Sequence, residues 1–187
     1  MDFKTLLNNR RSIRSFLDRD VPLPVLEEIL RETCLAPTAS NLQPCRFIII
    51  RDRALMKKIS DESKRILLDD IAQNPNSPTK QYEGALRDES FNIFYNAPCL
   101  VYIIGPRDIS SLEVDCSLTA AYLMFAATVR GLGTCWIGFG AHIRDRGTLK
   151  KVGVPDDYKI VAPIILGYPE SIPPASERHA PIVVKVI

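Results

Sequence analysis

Histidine is nearly missing from this chain of 187 residues, which holds only His142 and His179. They stand too far apart to suggest a metal cluster. The five cysteines (Cys34, Cys45, Cys99, Cys116, Cys135) contain no C-x-x-C pair. An odd, widely spaced set makes a poor disulfide framework and a poor zinc site. Each is expected to behave as a small buried apolar residue in a reducing compartment. Charge of one sign is also missing: 24 Lys plus Arg face 22 Asp plus Glu, for a net +2. That balance argues against a general nucleic-acid binder and a polybasic membrane protein. No apolar run approaches the roughly 20 residues that cross a bilayer. The start, "MDFKTLLNNRR", lacks the basic-then-apolar order of a signal peptide. There is no G-K-[ST] of a P-loop, no G-x-S-x-G and no internal repeat. The expectation is a soluble cytoplasmic protein, bound to neither nucleic acid nor membrane.

With 46% hydrophobic residues, the length suits one domain, residues 1–187, with a sizeable core. Phe3, Leu6 and Leu7 have the spacing of a short helix. Residues 24–34 predict a firmer one, with Pro24 in its first turn and Val25, Leu26, Ile29, Leu30 and Thr33 on one face. Further helices are predicted over 54–68, 82–95, 111–130 and 144–152. The helix at 111–130 is apolar nearly all round, so it should be covered by its own core or by a second chain. Short β-branched runs predict strands at 46–50, 99–105 and 159–167. Pro163 cannot donate to a ladder and marks a bulge or an edge. Residues 36–44 and 73–80 read as loops, the second a mobile one. A proline-rich arm from residue 171 leads to "IVVKVI", an apolar terminal strand expected to pair with a sheet, its own or a partner's. Without strict βαβ alternation, the pattern points to a three-layer α+β domain.

Three segments carry chemistry. "RRSIRSF" places Arg10, Arg11 and Arg14 around Ser12 in an otherwise balanced chain. Such a cluster is either a solvated face or an anion site, and mixed guanidinium and hydroxyl donors suit a phosphate. "APTASNLQP" offers Thr38, Ser40, Asn41 and Gln43 on a short loop held between Pro37 and Pro44. "GLGTCWIGFG" is no Rossmann fingerprint, because Trp136 stands where a glycine is required and a helix precedes it. Its glycines could still let backbone approach a flat ligand, with Trp136 either packing on that ligand or filling core.

Taken in order, "RRSIRSF", "APTASNLQPCRF", "GLGTCWIGF" and "ILGYP" resemble the nitroreductase family of FMN-dependent oxidoreductases, over residues 2 to about 181. The resemblance implies a mostly antiparallel sheet flanked by helices, in an intertwined homodimer with FMN at the interface. It also implies ping-pong transfer from NADH or NADPH to a small acceptor such as a nitroaromatic or quinone. On that resemblance, Arg10, Arg11 and Ser12 match the residues gripping the FMN phosphate, and Arg178 completes that site. Arg14 matches the basic residue near N1 and O2 of the ring, where reduction leaves negative charge. Pro37, Thr38, Ala39 and Asn41, with Ser40 beside them, match the loop that reaches the other subunit's FMN. Trp136, Ile137 and Gly138 match the segment over one ring face, with the Ile137 amide expected to bond N5. The C-terminal arm, 171–187, would be exchanged between subunits. No side chain is required as a catalytic acid or base.

The chain departs from the family pattern in places. Cys45 follows "QP" where Trp is common, and Asn92 is the candidate ring-edge amide without its lysine. Glu177 precedes Arg178 where a second basic residue is usual, and His179 is the candidate substitute. Two other readings stay open: a flavin-binding or storage protein with little turnover, or a specialised relative with one narrow acceptor, such as a halogenated phenol or a tetrapyrrole-related compound.

Overall fold

The second strand of the sheet is buried along nearly its whole length, and this sets the architecture. In the computed structural model, which describes residues 1–187, this strand is β2 (Cys99–Pro106). Successive strand residues point to opposite faces. Val101 and Ile103 enter one core with Leu26, Ile29, Leu112, Ala120 and Leu123. Leu100, Tyr102 and Ile104 enter a second core with Met56, Ile59, Phe94 and Ile165. A strand covered on both faces needs helices on both faces, which gives three layers. The sheet has four antiparallel strands in the order β1 (Arg46–Ile50), β2, β4 (Tyr158–Gly167), β3 (Gly133–Trp136). The α+β expectation and the antiparallel sheet are both met.

One face is covered by α2 (Leu23–Thr33) and α5 (Leu112–Val129). α2 carries a proline in its first turn, and its buried residues Leu26, Ile29 and Thr33 repeat at helical spacing. The other face is covered by α3 (Arg53–Gln73), which Asp52 caps by accepting from the Leu55 amide at 3.0 Å. This helix runs beyond the predicted 54–68, since Ile71 is still a buried residue of its inner face. α5 is long and apolar enough to cross a membrane by length and composition. Its inner face, however, holds eight buried residues against the sheet, Asp115, Cys116 and Leu123 among them. Its outer stripe of Val114, Leu118, Tyr122 and Val129 is exposed, as are Phe3 and Leu7 of α1 (Phe3–Asn9).

Several expectations need correction. The helix predicted over 82–95 shrinks to α4 (Glu83–Arg87). Beyond it, Asp88 Oδ1 accepts from the Ser90 amide at 2.8 Å and Asn92 Oδ1 from the Phe94 amide at 2.9 Å. Short polar side chains that bond nearby backbone compete with the helix. Tyr95 and Asn96 then take φ of 52° and 53°, which ends any helical path. Residues 73–80 contain a capped turn: Ser77 donates to Asp70 at 3.0 Å and starts a 3₁₀ helix, Pro78–Tyr82. Residues 182–187 form no strand within the chain and stand exposed. The short helix expected near 144–152 is α6 (Arg146–Val152), capped by Asp145 and ended by Gly153 at φ 88°.

Pro163 sits inside the sheet on its β2 side, opposite Tyr102, with a bulge at Val161 just before it. On the β3 side it creates a local edge. Its carbonyl accepts from the Ile137 amide at 2.8 Å, but it has no N–H to give back. The Ile137 carbonyl takes the Gly140 amide instead, at 2.9 Å. β3 therefore stops at Trp136 and the chain curls into the 3₁₀ turn Gly138–Ala141.

Candidate functional site

The arginine segment is placed by one apolar residue. Ser12 forms a parallel bridge with Thr134 of β3, and the Ile13 amide donates to the Thr134 carbonyl at 3.0 Å. Ile13 is only 3% exposed. It lies over Gly133, where an added Cβ would come within 2.6 Å of its side chain. With Ile13 turned inward, its neighbours Ser12 and Arg14 turn away from the core. The segment is fixed further along: the Leu17 amide donates to the Tyr168 carbonyl at 2.9 Å, and the Glu170 amide to the Ser15 carbonyl at 3.0 Å.

Arg10, Arg11, Ser12 and Arg14 line one cavity of about 370 Å³, and Pro173, Pro174, Ser176 and Arg178 form its other wall. The proline-rich arm thus carries Arg178 back to the arginine cluster across more than 160 residues of sequence. None of the chain's ion pairs uses Arg10, Arg11, Arg14 or Arg178. Arg11 Nη1 donates to the Arg10 carbonyl at 2.7 Å, which fixes its direction without neutralising it. Converging guanidiniums without a carboxylate repel one another unless an anion joins them.

Arg14 also lines a second cleft, of about 240 Å³, with Trp136, Ile137 and Gly138. The cleft is walled by Tyr82, Phe91, Tyr95 and Phe139. Phe91 and Tyr95 meet edge to face at 5.7 Å, and Tyr82 and Phe139 at 5.2 Å. The Arg14 guanidinium lies 5.8 Å from the Tyr95 ring centre. Gly138 is open: a Cβ there would meet nothing within 4 Å. Behind the turn, the Tyr102 hydroxyl donates to the Gly140 carbonyl at 2.8 Å. Burial pushes that phenol far above its usual range, so it remains a neutral donor. Gly140 must be glycine, since a Cβ would come within 2.7 Å of Phe94.

Two finer expectations change. The Ile137 amide is already used by Pro163, so it is not a free donor. The Gly138 amide has no acceptor in the chain, and Gly138 lines the cleft. Asn92 is buried, and its amide group is spent on Phe94 and Asn96. Tyr95, not Asn92, stands beside Arg14. Sequence reasoning missed the four aromatic walls, because nothing local marks them; the fold alone brings residues 82–95 to residue 14.

The loop of Pro37, Thr38, Ala39, Ser40 and Asn41 joins neither cavity. It is strained, with Ser40, Asn41 and Gln43 at φ of 48°, 55° and 48°. Such conformations cost of order 1–3 kcal/mol each and need outside support. The support comes from α5: Asp115, only 1% exposed, accepts from the Ala39 amide at 2.9 Å and from Ser111 at 2.9 Å. The loop's Thr38 Oγ1 also accepts from the Gln43 amide at 3.1 Å.

The family model for nitroreductases matches residues 7–168. The chain belongs to the nitroreductase family. A relative from Archaeoglobus fulgidus, provisionally named an NADH dehydrogenase/NAD(P)H nitroreductase, is 26% identical over 174 residues, covering 88% of this chain and 84% of its own. A Bacteroides fragilis nitroreductase solved with bound FMN superposes with a TM-score of 0.82 at 21% identity, covering 100% of this chain and 99% of that one. An iodotyrosine deiodinase solved with FMN and 3-iodo-L-tyrosine gives a TM-score of 0.78 at 23% identity, covering 98% and 99%. At these identities the solved structures establish the nitroreductase fold. Family membership makes this chain an oxidoreductase.

Proposed function

We propose that this nitroreductase-family protein is a homodimeric FMN-dependent oxidoreductase that moves electrons from NADH or NADPH to a small oxidised acceptor. One observation carries the reading: Arg14 lines both cavities, so an unneutralised cationic pocket adjoins an aromatic cleft. A phosphate on a short chain, attached to a planar ring, has that shape and that charge. The free Gly138 amide and the open space at its Cα fit a ring approaching backbone closely. FMN-bound relatives of the same fold support the assignment.

When bound, FMN supplies the hydride chemistry, accepting from the nicotinamide and giving up electrons to the acceptor in turn. Arg10, Arg11, Ser12 and Arg178 hold the phosphate through charge-assisted hydrogen bonds. Arg14 keeps a fixed cation beside the ring and so favours its reduced, anionic form. Trp136 and Ile137 exclude water from one side, and the Gly138 amide offers a hydrogen bond to the ring edge. Pro37, Thr38, Ala39, Ser40 and Asn41 reach the partner's flavin, which is why they line neither the arginine pocket nor the aromatic cleft of their own chain. The partner also covers the exposed α5 stripe, and the arm beyond Arg178 crosses to it, giving the apolar terminus a surface to pair with.

Purified protein is expected to be yellow, to take up added FMN, and to bleach with NADH or NADPH. Colourless protein that takes up no FMN would overturn the reading. Tight FMN binding without bleaching would point to a flavin-storage role instead.

A further inference from the structure

One feature stands outside the flavin chemistry. Cys45, just after the loop of residues 37–43, lies with its Sγ 3.4 Å from the Sγ of Cys116 on α5. All five cysteines are free. We infer that Cys45 and Cys116 form a peroxide-sensitive dithiol, with Cys45 as the reacting sulfur and Cys116 as the resolving one.

Three observations support this. The first is access: Cys45 is half-buried and opens on a small cavity of about 110 Å³, lined also by Cys34, Thr38, Gln43 and Thr119, whereas Cys116 is buried behind it. The second is hydrogen bonding. Thr119 Oγ1 gives its one hydrogen to the Asp115 carbonyl at 2.8 Å. It can therefore only accept from Cys45, 3.3 Å away. The Cys116 S–H is thus the donor left to face a Cys45 thiolate. That bond lowers the Cys45 thiol, against burial and the nearby Asp115 carboxylate, and the Cys116 thiol is raised by the same bond and by burial. The third is distance: a disulfide needs about 2 Å between sulfurs, so closing it takes a shift of little more than an ångström.

The chemistry balances with hydrogen peroxide as oxidant. The Cys45 thiolate attacks one peroxide oxygen, the O–O bond breaks, and hydroxide leaves; sulfur is oxidised to a sulfenic acid as the peroxide is reduced. Cys116 then attacks the Cys45 sulfur, an S–S bond forms, and the sulfenic oxygen departs as water with the Cys116 proton. A dithiol reductant reverses the bridge.

The bridge would act on the loop. Asp115, one residue before Cys116, holds the Ala39 amide, and Cys45 is the loop's exit. Drawing Cys45 toward α5 pulls the strained loop from its far end. This second half rests on the flavin reading, in which the loop meets the partner's FMN.

The test uses the purified protein as it assembles, treated with hydrogen peroxide, quenched and denatured. Two of the five thiols should be lost and should return with dithiothreitol. A peptide pair containing Cys45 and Cys116 should appear, lighter by two hydrogens than its reduced parts. In Cys116→Ala, dimedone should label Cys45. A thiol count that stays at five, or a bridge mapped to Cys34, overturns the dithiol; the wild-type peptide map decides alone if the variant fails to fold. FMN release should differ by about threefold or more between bridged and reduced protein, and equal rates would overturn the second half. Protein that takes up no FMN defeats the flavin reading and leaves the thiol map intact.

Discussion

The arginine segment at residues 10–14 and the loop at residues 37–41 make an instructive pair. Both are short, polar and close in sequence, and both belong to the proposed site. The first is held by an apolar anchor, with Ile13 buried over Gly133 and its amide in a ladder with β3. It faces a cavity of its own chain. The second has no buried side chain among Pro37–Asn41. It is held by a single buried carboxylate, Asp115, and carries left-handed residues. It lines neither the arginine pocket nor the aromatic cleft. In the proposed homodimer such a site would be half assembled in each subunit, and the strained half would gain its purpose against the second copy.

The anchor is where the comparison is most easily broken. Ile13→Ala should cost about 2–5 kcal/mol of stability, read as a fall in melting temperature, and it should release the arginines from β3 and lower FMN occupancy with it. An unchanged melting temperature would show that the segment is held by its backbone alone. Arg10→Ala should leave the fold intact and weaken FMN binding by about 1.5–3 kcal/mol, measured by flavin fluorescence titration. Full affinity in that variant would remove Arg10 from the phosphate site.

Asp115→Ala sharpens the contrast from the other side. It leaves the Ala39 amide and the Ser111 hydroxyl without their acceptor, at about 1–3 kcal/mol. Asp115→Asn, which retains one acceptor oxygen, should recover part of this. Because that carboxylate holds the loop and not the arginine segment, protease cleavage should rise within residues 36–44 and not within 10–16. The smallest effect is one of pH. Alkylation of Cys45 rises as its thiolate forms, so a lowered thiol reacts at lower pH. Cys116→Ala removes the donor that lowers it, and the rise in Cys45 alkylation should move to higher pH. A profile that does not move would mean that Cys116 gives no proton to Cys45.

Some of this was legible before any coordinates. Periodicity placed α2, α5 and the strands β1, β2 and β4, because their apolar residues repeat at the spacing that packing demands. The helix read over 82–95 failed because Asp88 and Asn92 bond their own backbone, an interaction that apolar spacing does not register. The Ile137 amide was misjudged because its acceptor, Pro163, lies on another strand. Tyr95 was invisible for a similar reason: its place beside Arg14 comes from the packing of distant segments.

The order of residues alone determined the three-layer character, the local excess of guanidinium at residues 10–14 and the family to which the chain belongs, since each is a matter of local pattern. Tertiary structure alone decided that Arg178 closes the cavity opened by Arg10, that Gly138 and not Ile137 keeps a free amide, and that Cys45 meets Cys116. Those outcomes depend on which distant atoms share a hydrogen bond or a cavity wall, and no local spacing encodes such a meeting.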